Sequence, residues 1–198
     1  MIRVLTKLPR EITIAFSGGI DSVATVDFLR RNHIVTCAFY HHRTENSTKA
    51  HQFVTQFCEE RNLPLVVGIL NKEKPKNKSI EEHWRDERYK FFDNFQTVVT
   101  AHHLDDCIET YLFGALHGTP KLIPMQRNNV IRPFLTTSKL DFFDWVMRKD
   151  LPFCHDTSND DDKYKRNYIR QHIVPHVFKV NPGIDKVIKK MILESLNT

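Results

Sequence analysis

"IAFSGGIDSVATVDFLRR", residues 14–31, joins two kinds of structure across one turn. An apolar run, ITIAF (12–16), reads as a buried strand; a helical pattern takes over at 21–31. Between them stand Gly18 and Gly19, which permit positive φ and a close approach of the backbone. Their N–H groups, with the partial positive charge of the new helix, suit one anion, and the Ser17 and Ser22 hydroxyls add donors. Asp21 either caps the helix or faces a phosphate through Mg²⁺. The segment is neither GxxxxGK[ST] nor GxGxxG, so the turn is a phosphate cradle of another kind.

The alternation continues. Strands are expected at 34–40, 65–69 and 97–101, and helices at 47–61, about 80–95 and 104–117, the last with Leu104, Ile108, Leu112 and Ala115 as its apolar stripe. Nearly unbroken apolar strands between helices predict an α/β fold, a parallel, doubly wound sheet of about five strands. Right-handed crossovers then bring the strand ends to one edge, where ligands bind. The Ser-Gly-Gly turn and the turn AHHLDD (101–106) both fall there.

After residue 118 the pattern changes. IRPF (131–134) is a short extended piece, and Ser138, boxed by Asp141, starts a helix to about 149. A polar loop (154–163) and a basic helical region follow. These shifts predict a nucleotide-binding catalytic domain over 1–125 and a helical connector with a basic face over 126–198, packed on it.

The chain has 198 residues, 40% of them hydrophobic, enough for one real core. No apolar run suits a signal peptide or membrane span, and four cysteines without a CxxC read as reduced thiols of a cytoplasmic protein. The same spacing argues against a zinc ribbon or a cysteine-bound iron–sulfur cluster. Net charge is +5, but residues 163–190 hold eight cations against one acid, while 1–162 are close to neutral. A basic block on a neutral body is either a polyanion contact or a solvated helical face.

In TAHHLDDCIET (100–110), His102 and His103 end a strand and Asp105, Asp106 and Glu109 open a helix. Helix-start acids matching the macrodipole account for one or two of these carboxylates, not for the histidines. A carboxylate here can bind an ammonium and take its proton, a role that suits Asp106; His103 suits contact with a phosphate or transition state. A His-x-x-Asp zinc site is the competing reading, without an evident third ligand.

SGGIDS (17–22) after the first strand resembles the pyrophosphatase loop of the N-type ATP pyrophosphatases, which cleave ATP between its α- and β-phosphates. AHHLDDCIET, IRPFL (131–135) and DTSNDDDKYKRNYIR (156–170) are similar to the tRNA(Ile)-lysidine synthetase branch, in the expected order over most of residues 12–176. The last resembles D-x-SN-x-D-x-x-Y-x-RN-x-IR, matched by Asp156, Ser158, Asn159, Asp161, Tyr164, Arg166, Asn167, Ile169 and Arg170. The resemblance implies an adenine nucleotide alpha hydrolase-like fold. It also implies adenylation of the C2 carbonyl of a tRNA(Ile) wobble cytidine and displacement of AMP by lysine. Carried over, Ser17, Gly18, Gly19, Asp21 and Ser22 hold ATP, with Mg²⁺ at Asp21; His103, Asp106, Asp21 and Arg132 serve catalysis. Asp105, Glu109, Arg166, Asn167 and Arg170 face lysine or RNA. From the residues alone, Arg166 and Arg170, i,i+4 on a helix, reach RNA phosphates or pair with the acids.

Two departures stand out. HHRTENS (41–47) lacks the glycine usual in that family's loop after the second strand, and GALHGTPKLIPM (114–125) lacks its second glycine pair and arginines. The chain also stops short of the family's C-terminal tRNA-gripping domains, so it would hold a whole tRNA weakly or as a homodimer. Other readings are a different AMP-forming tRNA modification such as thiolation, amidation of a small acid, or a non-catalytic nucleotide- or RNA-binding relative.

Overall fold

A computed structural model describes residues 1–155 and 165–196. Six strands form one sheet: β1 (Glu11–Ala15), β2 (Ile34–His41), β3 (Leu65–Ile69), β4 (Val98–Val99), β5 (Gln126–Arg127) and β6 (Val130–Ile131). Their order is β3-β2-β1-β4-β6-β5, parallel throughout except for the antiparallel β5–β6 hairpin at the edge. The sixth strand and the reversed edge go beyond the sequence expectation. They arise where the chain turns at Asn128, whose φ of 53° is a turn conformation. β4 is shorter than the 97–101 run suggests, although Thr97 and Thr100 still bond to Thr13 and Ile131.

The helices are α1 (Ile20–Leu29), α2 (Glu45–Glu60), α3 (Ile80–Phe92), α4 (Leu104–Leu116) and α5 (Lys139–Arg148). A short α6 (Lys165–Tyr168) runs through a π-turn (Ile169–Ile173) into α7 (Val174–Val180), and α8 (Ile184–Ser195) follows. Strand alternation sorts them. Ile12, Ile14, Phe16, Cys37, Phe39 and Val99 face Val23 and Val26 of α1, Phe57 of α2 and Phe142 of α5. Ala15, Val98 and Val130 face Tyr89 and Phe92 of α3 on the other side. Leu104 and Ile108 of α4 pack with Ile188 and Ile192 of α8 in a separate cluster.

The α4 stripe ends differently from expectation. Ala115 is exposed and Gly114 is buried, because the returning loop crosses so close that a Cβ there would lie 2.5 Å from the Thr119 carbonyl oxygen. The division near residue 125 is not a break in the sheet: β6, beyond it, pairs with β4, and α5 joins the core that holds α1. Ser138 caps α5 in a reciprocal box with Asp141. No helix among the described residues is long and apolar enough to cross a membrane. Cys37, Cys58 and Cys107 are buried free thiols, and Cys154 is half-buried.

Chain direction across the sheet fixes the site. From β1 the chain steps outward to β2 and β3, then returns to the opposite side of β1 as β4. β1 and β4 are neighbours whose following segments leave in opposite senses, the crevice where open α/β sheets bind ligands.

Candidate active site

The turn after β1 is built to leave donors open. Gly18 has φ 82°, and a Cβ there would stand 2.8 Å from the Phe53 ring, so neither conformation nor space admits a side chain. α1 starts at Gly19 without a side-chain cap, leaving its first-turn N–H groups to a ligand. Ser22 Oγ donates to the Gly19 carbonyl at 2.8 Å and lies 3.2 Å from Ser17 Oγ, fixing both hydroxyls at the turn. Cys154 N donates to the Gly18 carbonyl at 2.8 Å, bringing the start of the polar loop against it.

The turn after β4 reaches the same point. His103 is the N-cap of α4; Asp106 Oδ2 accepts from its backbone N–H at 3.0 Å. Its ring is buried among three carboxylates: Asp21 Oδ2 at 3.6 Å, Asp105 Oδ2 at 3.5 Å and Asp106 Oδ2 at 3.6 Å. Burial opposes an imidazolium there, but Asp106, Asp105 and Asp21 outweigh it and push the His103 pKa up to about 10. Burial works against the Asp105 and Asp106 carboxylates, yet His103 holds both below their ordinary value. Asp105 also accepts from Lys139 N at 2.8 Å, tying α4 to α5.

Arg170 enters from the π-turn. Its guanidinium forks onto Glu109, with Nη2 3.1 Å from Oε2, and stands 3.7 Å from Asp106 Oδ1. Burial raises the Glu109 carboxyl, with Arg170 pulling the other way. Four carboxylates, from Asp21, Asp105, Asp106 and Glu109, thus face two cations, His103 and Arg170. Asp21 Oδ1 is buried with no hydrogen-bond partner. That orphaned oxygen and the surplus negative charge fit Mg²⁺ or an organic ammonium. Among the described residues no three His, Cys, Asp or Glu side chains form a metal cluster. A cation at Asp21 would therefore complete its shell from phosphate and water.

Across His102 the charge reverses. His102 Nδ1 lies 2.7 Å from Thr100 Oγ1; burial lowers its pKa to about 4, with Asp106 opposing and Arg132 and Arg88 reinforcing. Burial, with Arg88 next, also takes His42 to about 4. Burial likewise pulls the Arg88 guanidinium down, and among the described residues no carboxylate pairs with it. Arg132 is 2% exposed, donating to the Pro124 carbonyl and Tyr89 Oη, each at 2.9 Å. Its fork faces inward structure, so it lines the site's wall rather than its opening.

The sequence-derived residues therefore divide. Ser17, Gly18, Gly19, Asp21, Ser22, His103, Asp105, Asp106, Glu109 and Arg170 converge. Of the two choices open for Arg170, the structure takes the acids. Arg166 is exposed on α6 and Asn167 half-buried. Asp156, Ser158, Asn159, Asp161 and Tyr164 lie outside the described residues. Arg88 and His42 were missed. The signal for Arg88 was present: it interrupts the apolar helical spacing of Trp84, Phe91 and Phe95, so a guanidinium stands in a half-buried apolar stripe.

Comparison with known proteins gives concordant results. The model of the PP-loop domain family matches residues 3–177. The bifunctional protein TilS/HprT of Listeria innocua is 32% identical over 93% of this chain and 32% of its own length. The tRNA(Ile)-lysidine synthases of Thermotoga sp. and Francisella tularensis are each 30% identical, over 91% and 92% of this chain and 48% and 50% of their own. The chain thus spans from a third to half the length of these relatives. The solved NH3-dependent NAD synthetase of Campylobacter jejuni superposes with a TM-score of 0.55 at 12% identity, covering 96% of this chain and 86% of that one, which speaks for the fold.

Proposed function

We propose, from the premise that this chain belongs to the PP-loop domain family, that it activates a carbonyl oxygen of RNA with ATP and hands the activated carbon to lysine, converting the wobble cytidine of a tRNA(Ile) to lysidine. The contact of Asp21 with His103 carries the reading, because it joins the phosphate turn to the acidic helix start at the switch point. The similarity to two proteins named tRNA(Ile)-lysidine synthase supports the choice of RNA and lysine.

In this scheme the turn's N–H groups and the Ser17 and Ser22 hydroxyls hold the ATP phosphates. Mg²⁺ at Asp21, when bound, neutralises their charge. The cytidine C2 oxygen attacks the α-phosphorus, and pyrophosphate leaves; the His103 imidazolium and Arg88 oppose the developing negative charge. The lysine ε-amine then attacks C2, the C–O bond breaks, and AMP leaves carrying the oxygen. A free ε-amine arrives protonated, with a pKa near ~10.4. Asp106, held ionised by His103, is the better anchor for that ammonium. Glu109, whose carboxyl is raised by burial, is the better acceptor of its proton, which moves the basic role from Asp106 to its neighbour one turn on.

The test combines protein, ATP, Mg²⁺, lysine and a tRNA(Ile) transcript. Equal release of AMP and pyrophosphate and a lysine adduct on one cytidine, by mass spectrometry of digested nucleosides, are expected. Unmodified cytidine at every salt concentration rejects the proposal, and incorporation of ammonia or sulfur in place of lysine replaces it with another AMP-forming modification.

A further inference from the structure

The helical segment that carries Arg170 inward presents a different chemistry outward. Val174 and Phe178 dock it on the α4–α8 cluster, and Ile169 is buried. Lys165, Tyr168, His172, His176 and Lys179, spaced three, four, four and three residues apart, form one exposed line on the other side. Tyr168 and His172 pack ring on ring, with centroids 4.6 Å apart at 42°, and Tyr168 is half exposed. The line spans about 21 Å at helical rise. No acidic residue occurs between Asp162 and Asp185. The basic residues of α8 differ, since Lys189 and Lys190 have Asp185 and Glu194 beside them.

We infer that this line is a platform for single-stranded RNA, Tyr168 and His172 stacking on bases while Lys165 and Lys179 hold phosphates. Charge sets the partner as a polyanion. The exposed rings between the cations select unpaired bases, since a duplex keeps its base faces stacked within the helix and offers side chains chiefly phosphates and hydroxyls. The π-turn places the two functions back to back. Arg170 lies between Tyr168 and His172 in sequence and on the opposite side, so a strand lying along the platform sits one helix thickness from the Glu109 carboxylate that Arg170 grips. This inference rests on the RNA substrate proposed above and names how that RNA is held.

A labelled oligoribonucleotide of unstructured sequence and a duplex of the same length are the probes, titrated against the whole chain at several salt concentrations. Tyr168→Ala is expected to weaken single-strand binding roughly 5- to 100-fold, leave duplex binding unchanged and leave the salt slope unchanged. Tyr168→Phe is expected to restore binding, which separates stacking from damage to the helix. Lys165→Ala with Lys179→Ala is expected to lower the salt slope by roughly 1.4 on the single strand and roughly 1.8 on the duplex. Equal single-strand affinity for wild type and Tyr168→Ala, or equal loss on both probes, overturns the platform. Lysidine assays keep the two proposals apart. Ring-dependent RNA binding without lysidine leaves the platform standing and removes the activity; lysidine formed by Tyr168→Ala with an unchanged KM for tRNA does the reverse.

Discussion

Beside β1 and α4, carboxylates from four positions crowd two cations within 3.1–3.7 Å; on the other side of His102, Arg132 and Arg88 of α3 act on it, and Arg88 on His42, with no carboxylate of their own among the described residues. The first cluster is electrostatically closed except for a cation. The second carries positive charge with no paired carboxylate among the described residues. A reaction that brings an ammonium to a polyphosphate held at the turn after β1 needs charge of both signs close by, and the two clusters supply it from either side of His102. His102 stands at the seam, feeling Asp106 from one side and the arginines from the other. It is held neutral there, a spacer between the two fields.

The sharpest way to break this comparison is to remove the cation receptor. Asp21→Ala should lower ATP-dependent AMP release about a thousandfold while leaving RNA binding within twofold, read by AMP formation and by oligonucleotide titration. Equal loss of both in a folded protein would dissolve the division into two fields.

The next effect tests the other half. Arg88→Met should reduce AMP release about a hundredfold yet leave thermal stability within about 1 kcal/mol, because a half-buried guanidinium with no paired carboxylate among the described residues gives way to an apolar side chain of similar length. Calorimetry and turnover on the same preparation decide it. A variant that is less stable and fully active would show Arg88 to be structural.

The acidic half and the basic half were unequally legible. SGGIDS and AHHLDD announce themselves because each packs its chemistry into a few consecutive residues at a strand end, and a parallel sheet brings strand ends together. His102 and Arg132 were named from AHHLDD and IRPFL, but nothing in those motifs joined them to Arg88 and His42, which come from two further segments. Only Arg88's place in an apolar stripe hinted at burial. The parallel direction of the central strands followed from alternation, whereas the β5–β6 edge did not. Two-residue strands carry no periodicity, and their pairing depends on a turn at Asn128.

A pH series separates the halves in another way. His103 has its pKa raised to about 10, so its ionised form favours the folded state. That contribution is full below the unfolded value near ~6.5 and is lost as pH climbs through about 10. Stability should therefore decline from about pH 7 to pH 10, and urea midpoints should show a flatter decline in His103→Gln. His102, lowered to about 4 by burial, has the opposite sign. Its neutral form favours folding, and that contribution fades on acidification from pH 6.5 toward 4. A wild-type profile level through the alkaline range would remove the imidazolium from the acidic half.

The smallest expected effect lies in the loop after β2, where the sequence resemblance predicts a glycine. Arg43 sits there at φ 60°, between His42 of the basic half and the Thr44 cap of α2. A left-handed conformation costs a branched-chain-free residue such as arginine about 1 kcal/mol, and glycine nothing. Arg43 recovers part of that through Nη2, which donates to Asn71 Oδ1 at 2.7 Å, and glycine would lose more chain entropy on folding. The difference left for Arg43→Gly is a gain of roughly 0.5 kcal/mol, or about 1–2 °C in Tm for a chain of this size. Because the turn also fixes where His42 meets Trp84, their rings 5.1 Å apart, ATP turnover should stay within twofold if glycine keeps the same path. A lower Tm would mean that the Asn71 bond, not the backbone angle, governs this turn. Unchanged stability with lost turnover would give the Arg43 side chain a place in the basic half.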